Sequence, residues 1–144
     1  MGNFTDILNF TNLTIVLTIR VCQKYNSEKT HKLKLCKDKK KSNFDKTKNY
    51  SVVYMHDGQN LFDDMTAFAD EWGVDESLNQ LAAKEGFEVI VIGIDNAAKF
   101  RMNELSPWEN KRFGEAQGKQ YMNFIVEVVK PYIDTNFRTK ADRL

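Results

Sequence analysis

His56-Asp57-Gly58-Gln59-Asn60 puts four polar side chains and a glycine into five consecutive residues. Histidine and aspartate are proton carriers, and glutamine and asparagine both donate and accept hydrogen bonds. Gly58 permits a tight reversal and a close approach of a ligand to the backbone. Successive backbone N–H groups in such a turn can face a developing oxyanion. The set therefore suits stabilisation of negative charge in a transition state.

Two other chemistries compete for the same residues. His56-Asp57 is also the doublet of metal-dependent phosphohydrolases, but those need further histidines and the only other one is His31. Asp57, Asp63, Asp64 and Asp70 could suggest calcium, yet their spacing is not that of an EF-hand loop. They read as a solvated acidic loop. No metal site is expected.

The elements around the turn follow from periodicity. Tyr50–Met55 is a short apolar run that suits a strand covered on both faces, delivering His56 to its end. Val74, Leu78, Leu81 and Ala82 form a helical stripe between Gly73 and Glu85, with Asp75 and Glu76 at its start and Gly86 as its stop. Val89-Ile-Val-Ile92 predicts a second buried strand. Asn96–Gly118 reads as a long polar loop. A second helix from Lys119 carries Tyr121, Phe124, Ile125, Val128, Val129 and Tyr132 on one face, and Pro131 should kink or end it. Strand, helix, strand and helix predict an α/β fold with a parallel sheet. Upstream, Leu13–Cys22 and His31–Cys36 alternate with period two and predict a hairpin across Gln23–Thr30.

Charge divides the chain. Residues 1–49 carry eleven Lys/Arg against four Asp/Glu, and residues 50–144 carry ten against sixteen. This gives a basic N-terminal segment, 1–49, and a main unit, 50–144. The lysine-rich stretch Lys37–Lys48 contains only Phe44 as an aromatic, so it reads as a solvated loop and not as a nucleic-acid contact. Cys22 and Cys36 match no metal or redox spacing and read as free thiols. No apolar run is long enough to span a bilayer and no signal peptide is evident. A cytoplasmic protein without membrane contact is the expectation.

A resemblance then becomes specific. Tyr54-Met-His-Asp-Gly-Gln-Asn-Leu-Phe-Asp63 resembles the first signature of the esterase D/enterochelin-esterase-like family of α/β-hydrolases. Further pieces come in that family's order: Trp72 with Val74-Asp75, Val91-Ile-Gly-Ile-Asp-Asn96, Arg101 with Glu104 and Pro107, Tyr121 to Asp134, and Arg138-Thr139. The resemblance implies a serine hydrolase acting on small-molecule esters or thioesters, with a Ser-His-acid triad and no cofactor. It implies the Gln59 backbone N–H as one oxyanion donor, Gly58 as the turn residue, and His56, Asp57, Asn60, Arg101 and Glu104 as substrate-side candidates. Arg101 and Glu104 could equally be an exposed ion pair worth little.

The chain also departs from that pattern. Ser27, Ser42, Ser51, Ser77 and Ser106 all lie outside a G-x-S-x-G frame. The expectation is an α/β-hydrolase sheet, incomplete and truncated before the nucleophile strand, inactive as it stands, whose exposed sheet edge offers a route to self-association. The alternative is a non-catalytic binding module that reuses the same fold.

Overall fold

Val89-Ile-Val-Ile-Gly-Ile94 contains no polar side chain, and all six residues are buried. They can be, because this strand lies inside the sheet. The computed structural model describes the backbone of residues 16–25 and 31–36 and all of residues 47–140. Its strands are β1 (Val16–Tyr25), β2 (His31–Cys36), β3 (Ser51–His56) and β4 (Val89–Ile94), in the order β2-β1-β4-β3. β4 runs parallel to both neighbours, with Val89 opposite Val16 on one side and Ser51 on the other. Helix α1 (Val74–Glu85) joins β3 to β4, so the expected strand–helix–strand crossover is present. The chain is an α/β protein.

The upstream hairpin also forms. β1 and β2 pair antiparallel, but β1 extends to Tyr25, opposite His31, so the connection is shorter than Gln23–Thr30. The Leu13–Ile15 start of the predicted strand and residues 37–46 of the lysine-rich stretch lie outside the described residues, as do the Cys22 and Cys36 side chains.

Two apolar layers sandwich β4, and strand alternation decides which residue meets which layer. Ile90, Ile92 and Ile94 cluster with Tyr50, Tyr121, Phe124, Ile125, Val129 and Ile133. Val89 and Val91 meet Met55, Phe62, Val74 and Leu78 on the opposite face. Each fully buried isoleucine contributes roughly 2–3 kcal/mol.

β3 corrects an expectation. It is the last strand of the sheet, none of its residues is fully buried, and Val53 is 41% exposed. Val52 and Tyr54 pack on one layer and Met55 on the other, but only in part, because an edge strand has a neighbouring strand on one side alone. Tyr50, just before β3, pairs in parallel with Thr139 on the outer side: Tyr50 N–H donates to Arg138 O and Lys140 N–H to Tyr50 O, both at 2.8 Å.

α1 starts after Gly73 and stops at Gly86, both left-handed, and the Gly86 N–H closes the last turn on Ala82 O. Its buried stripe is narrower than predicted, since Leu81 is 39% exposed. The second helix covers α3 (Gly118–Phe124), a π-turn (Ile125–Val129) and α4 (Lys130–Asn136) without a break. Pro131 has no N–H and its ring crowds the carbonyl four residues back, and a widened turn before it accommodates both. The extra residue per turn shifts the buried face. Val129, as expected, and Ile133 are fully buried and Tyr132 packs against the core in part, while Val128 is 42% exposed, so Val128 leaves the predicted face and Ile133 joins it.

Candidate active site

The site is built where β3 and β4 end. Both strands are parallel, so their carboxyl ends open on the same edge of the sheet, and the loops that follow meet there. Asp57 follows β3 and takes a left-handed conformation (φ 56°, ψ 43°). That costs a non-glycine residue roughly 1 kcal/mol. Its carboxylate is held by three bonds: from Arg101 Nε at 2.8 Å, Arg101 Nη2 at 2.7 Å and Asn96 Nδ2 at 2.6 Å. Arg101 and Asn96 belong to the loop after β4, so this fork ties the two loops together. The Arg101 hydrogen bonds keep the Asp57 carboxyl below the usual range against the opposing effect of burial, and Asn96 adds to them.

The left-handed residue is thus Asp57, and Gly58 serves a different purpose. Gly58 opens a short 3₁₀ turn, Gly58–Asn60, that lies against the backbone of β4. A Cβ on Gly58 would sit 2.6 Å from Gly93 C and 2.8 Å from Gly93 O. The close approach that Gly58 permits is to Gly93 of the protein itself.

Gln59 is pinned at both ends. Its Oε1 accepts from Asn96 N–H at 3.2 Å, and its carbonyl accepts from Thr66 Oγ1 at 2.8 Å. The first N–H groups of a helical turn have no acceptor inside it, and among the described residues no loop or turn backbone bond uses the Gln59 N–H. Asn60 secures the next loop: its Oδ1 accepts from Phe68 N–H at 3.0 Å and its carbonyl from Trp72 N–H at 2.8 Å. Asp63 and Asp64 cap backbone N–H groups of Met65 and Glu71 in the same loop. The acidic run is therefore used in fastening a turn.

The candidates separate into two clefts. Asp57, Gln59, Asn60 and Arg101 line a cleft of about 900 Å³ together with Phe68, Trp72, Asn96 and Lys99. His56 and Glu104 line another, of about 420 Å³, with Leu105, Pro107, Tyr121 and Met122. His56 Nδ1 lies 2.7 Å from Tyr121 Oη. The His-Asp doublet is thus divided, its histidine facing Tyr121 and its aspartate facing Arg101.

The alternative reading of Arg101 paired it with Glu104, but its ion-pair partner is Asp57. Glu104 is fully buried and accepts the Ala97 N–H at 2.8 Å. Residues 96–118 are also less irregular than expected: they hold a 3₁₀ turn (Ala98–Phe100), the short helix α2 (Arg101–Glu104) and a turn bridged between Asn110 and Gly114. Asn96 and Tyr121 are site residues that sequence reasoning left out. Asn96 had a signal, since it follows β4 at the edge that Asp57 shares. Tyr121 had none, because an aromatic on an apolar helix face reads as core.

Two phenols give the region an alkaline limit. Burial, and then the charge of Asp134, push Tyr54 up to about 12. Burial, then Glu104 and Asp57, push Tyr121 up further. A raised folded pKa gives stability that is complete below the unfolded value near 10 and lost as pH rises through the folded one. Circular dichroism should therefore show unfolding that begins above pH 10, in step with tyrosinate absorbance. Tyr54→Phe should move that limit upward, and an unchanged limit in this variant would contradict the assignment.

The sheet is mixed, and the polar turns gather where its parallel strands β3 and β4 end, the edge at which α/β proteins place ligand sites. The family model described as "Putative esterase" matches residues 40–144, and the chain belongs to this family. Its origin is accordingly that of a hydrolase. No curated protein and no solved structure matches the chain. Among the described residues, no helix is long and apolar enough to cross a membrane.

Proposed function

We propose that this chain is the part of a serine carboxylic-ester or thioester hydrolase that supplies one oxyanion donor, the Gln59 backbone N–H, and one side of the substrate cleft. The observation that carries the reading is Gln59 itself. It lines the larger cleft, its carbonyl and side chain are engaged, and among the described residues its N–H takes no backbone acceptor from the surrounding turns. A preorganised N–H of this kind stabilises a tetrahedral oxyanion without reorganisation cost at the moment of reaction. A serine from a G-x-S-x-G elbow would attack the carbonyl, a histidine would carry the proton, and an acid would orient that histidine. Asp57, Asn60 and Arg101 border the oxyanion position, and His56 and Glu104 border the smaller cleft.

Residues 1–144 contain no G-x-S-x-G frame, and hydrolases stripped of their nucleophile retain little catalysis. The purified 144-residue polypeptide should show no turnover of p-nitrophenyl acetate above a heat-denatured control. Robust turnover would overturn the proposed division of labour. The complementary check is the nucleotide sequence past the Leu144 codon. An elbow within about 15 codons, one short connection plus a strand, is expected, and a polypeptide extended through it and the triad should hydrolyse the same ester.

A further inference from the structure

We infer that Arg101 and Asn96 are positioning residues for the Gln59 N–H, acting through Asp57, and that Arg101 is not a substrate-binding cation. The inference rests on the oxyanion reading of Gln59. Three observations support it. Arg101 spends its Nε and one terminal nitrogen on Asp57, while its other terminal nitrogen faces Met102 Sδ at 4.0 Å. That is the bidentate geometry of an arginine–carboxylate fork, which leaves little of the guanidinium for a substrate anion. Asp57 is a left-handed, non-glycine residue directly before the turn that carries Gln59, and such strain persists only where surrounding contacts over-determine it. Asn96 holds the same turn twice, with Nδ2 on Asp57 and its backbone N–H on Gln59 Oε1. Its own Oδ1 accepts from Ala98 N–H at 2.9 Å, which fixes the amide's orientation. The direction of the peptide units after Asp57 thus depends on a fork that is anchored in the loop after β4.

Amide NMR of the 144-residue chain tests this without requiring catalysis. In R101M and N96A the Gln59 amide resonance should move, while the Val89–Val91 amides, away from the turn, keep their wild-type shifts. R101K, which retains the charge and loses the fork, should fall between wild type and R101M. A Gln59 amide that stays in place in R101K and N96A would overturn the inference and return Arg101 to the substrate side. Should R101M fail to fold, R101K and N96A still decide, because R101K keeps the positive charge and N96A keeps the Arg101–Asp57 pair. Failure of the oxyanion reading would look different. An extended polypeptide would have its triad and no esterase activity, while the amide result stood.

Discussion

Gly58→Ala should lower the thermal midpoint of the chain by about 5–10 °C. The added Cβ would meet Gly93 C at 2.6 Å, Gly93 O at 2.8 Å and Ile94 N at 2.8 Å. All three are backbone atoms of the central strand, which is paired on both sides and cannot retreat. The 3₁₀ turn must move instead, and overpacking of this kind costs about 1–3 kcal/mol. Gly93→Ala is the control. Its Cβ would meet Leu61 Cδ1 and Phe62 Cε2 at 3.0 Å and Gly58 Cα at 3.1 Å. Two of those contacts are side-chain ends that can shift, so this variant should lose less. Calorimetry of both proteins checks the order. Equal midpoints would mean that the turn does not rest on β4 as described.

Glu104→Ala should be comparably damaging, by about 2–4 kcal/mol, and Glu104→Gln should recover most of that loss. Glu104 is fully buried and accepts the Ala97 N–H. Truncation leaves that donor without its acceptor and opens a cavity, and both effects destabilise. Glutamine retains an amide oxygen that can accept the same bond. The following residue makes the bond more important, since Ala98 is left-handed at φ 50°. Denaturant unfolding of the two variants separates the explanations. If both lost equal stability, the buried charge would matter more than the hydrogen bond to Ala97.

Much of the fold can be read from the sequence because burial leaves a periodic trace. Val89–Ile94 is apolar at every position and lies in the middle of the sheet. The Val74–Leu78 stripe, bounded by Gly73 and Gly86, gives α1 with its ends. What could not be read depends on contacts across long stretches of chain. The edge position of β3 follows from strand order, which Tyr50–Met55 cannot encode alone. The π-turn follows from how Pro131 is accommodated, which drops Val128 from the predicted face and adds Ile133. At the site, the polar turn was visible but its wiring was not. Arg101 has a nearby acid of opposite charge in Glu104, so a local reading pairs them. Folding brings Asp57 to Arg101 across 44 positions of sequence and buries Glu104. The left-handed residue was equally hidden, because a glycine stood next to it and took the credit.

The π-turn before Pro131 has a geometric consequence for the sheet. Each residue of a helix turns the chain by about 100° and advances it by about 1.5 Å. The widened turn therefore works as a phase adjuster between α3, which is fixed by Tyr121 and Phe124, and the exit at Phe137. It brings Val129 and Ile133 onto the core and sends Arg138–Lys140 out along the start of β3, where Tyr50 and Thr139 pair. With one residue fewer in that turn, the exit would face another direction, and the outer rim of β3 would lose the pairing that begins at Tyr50.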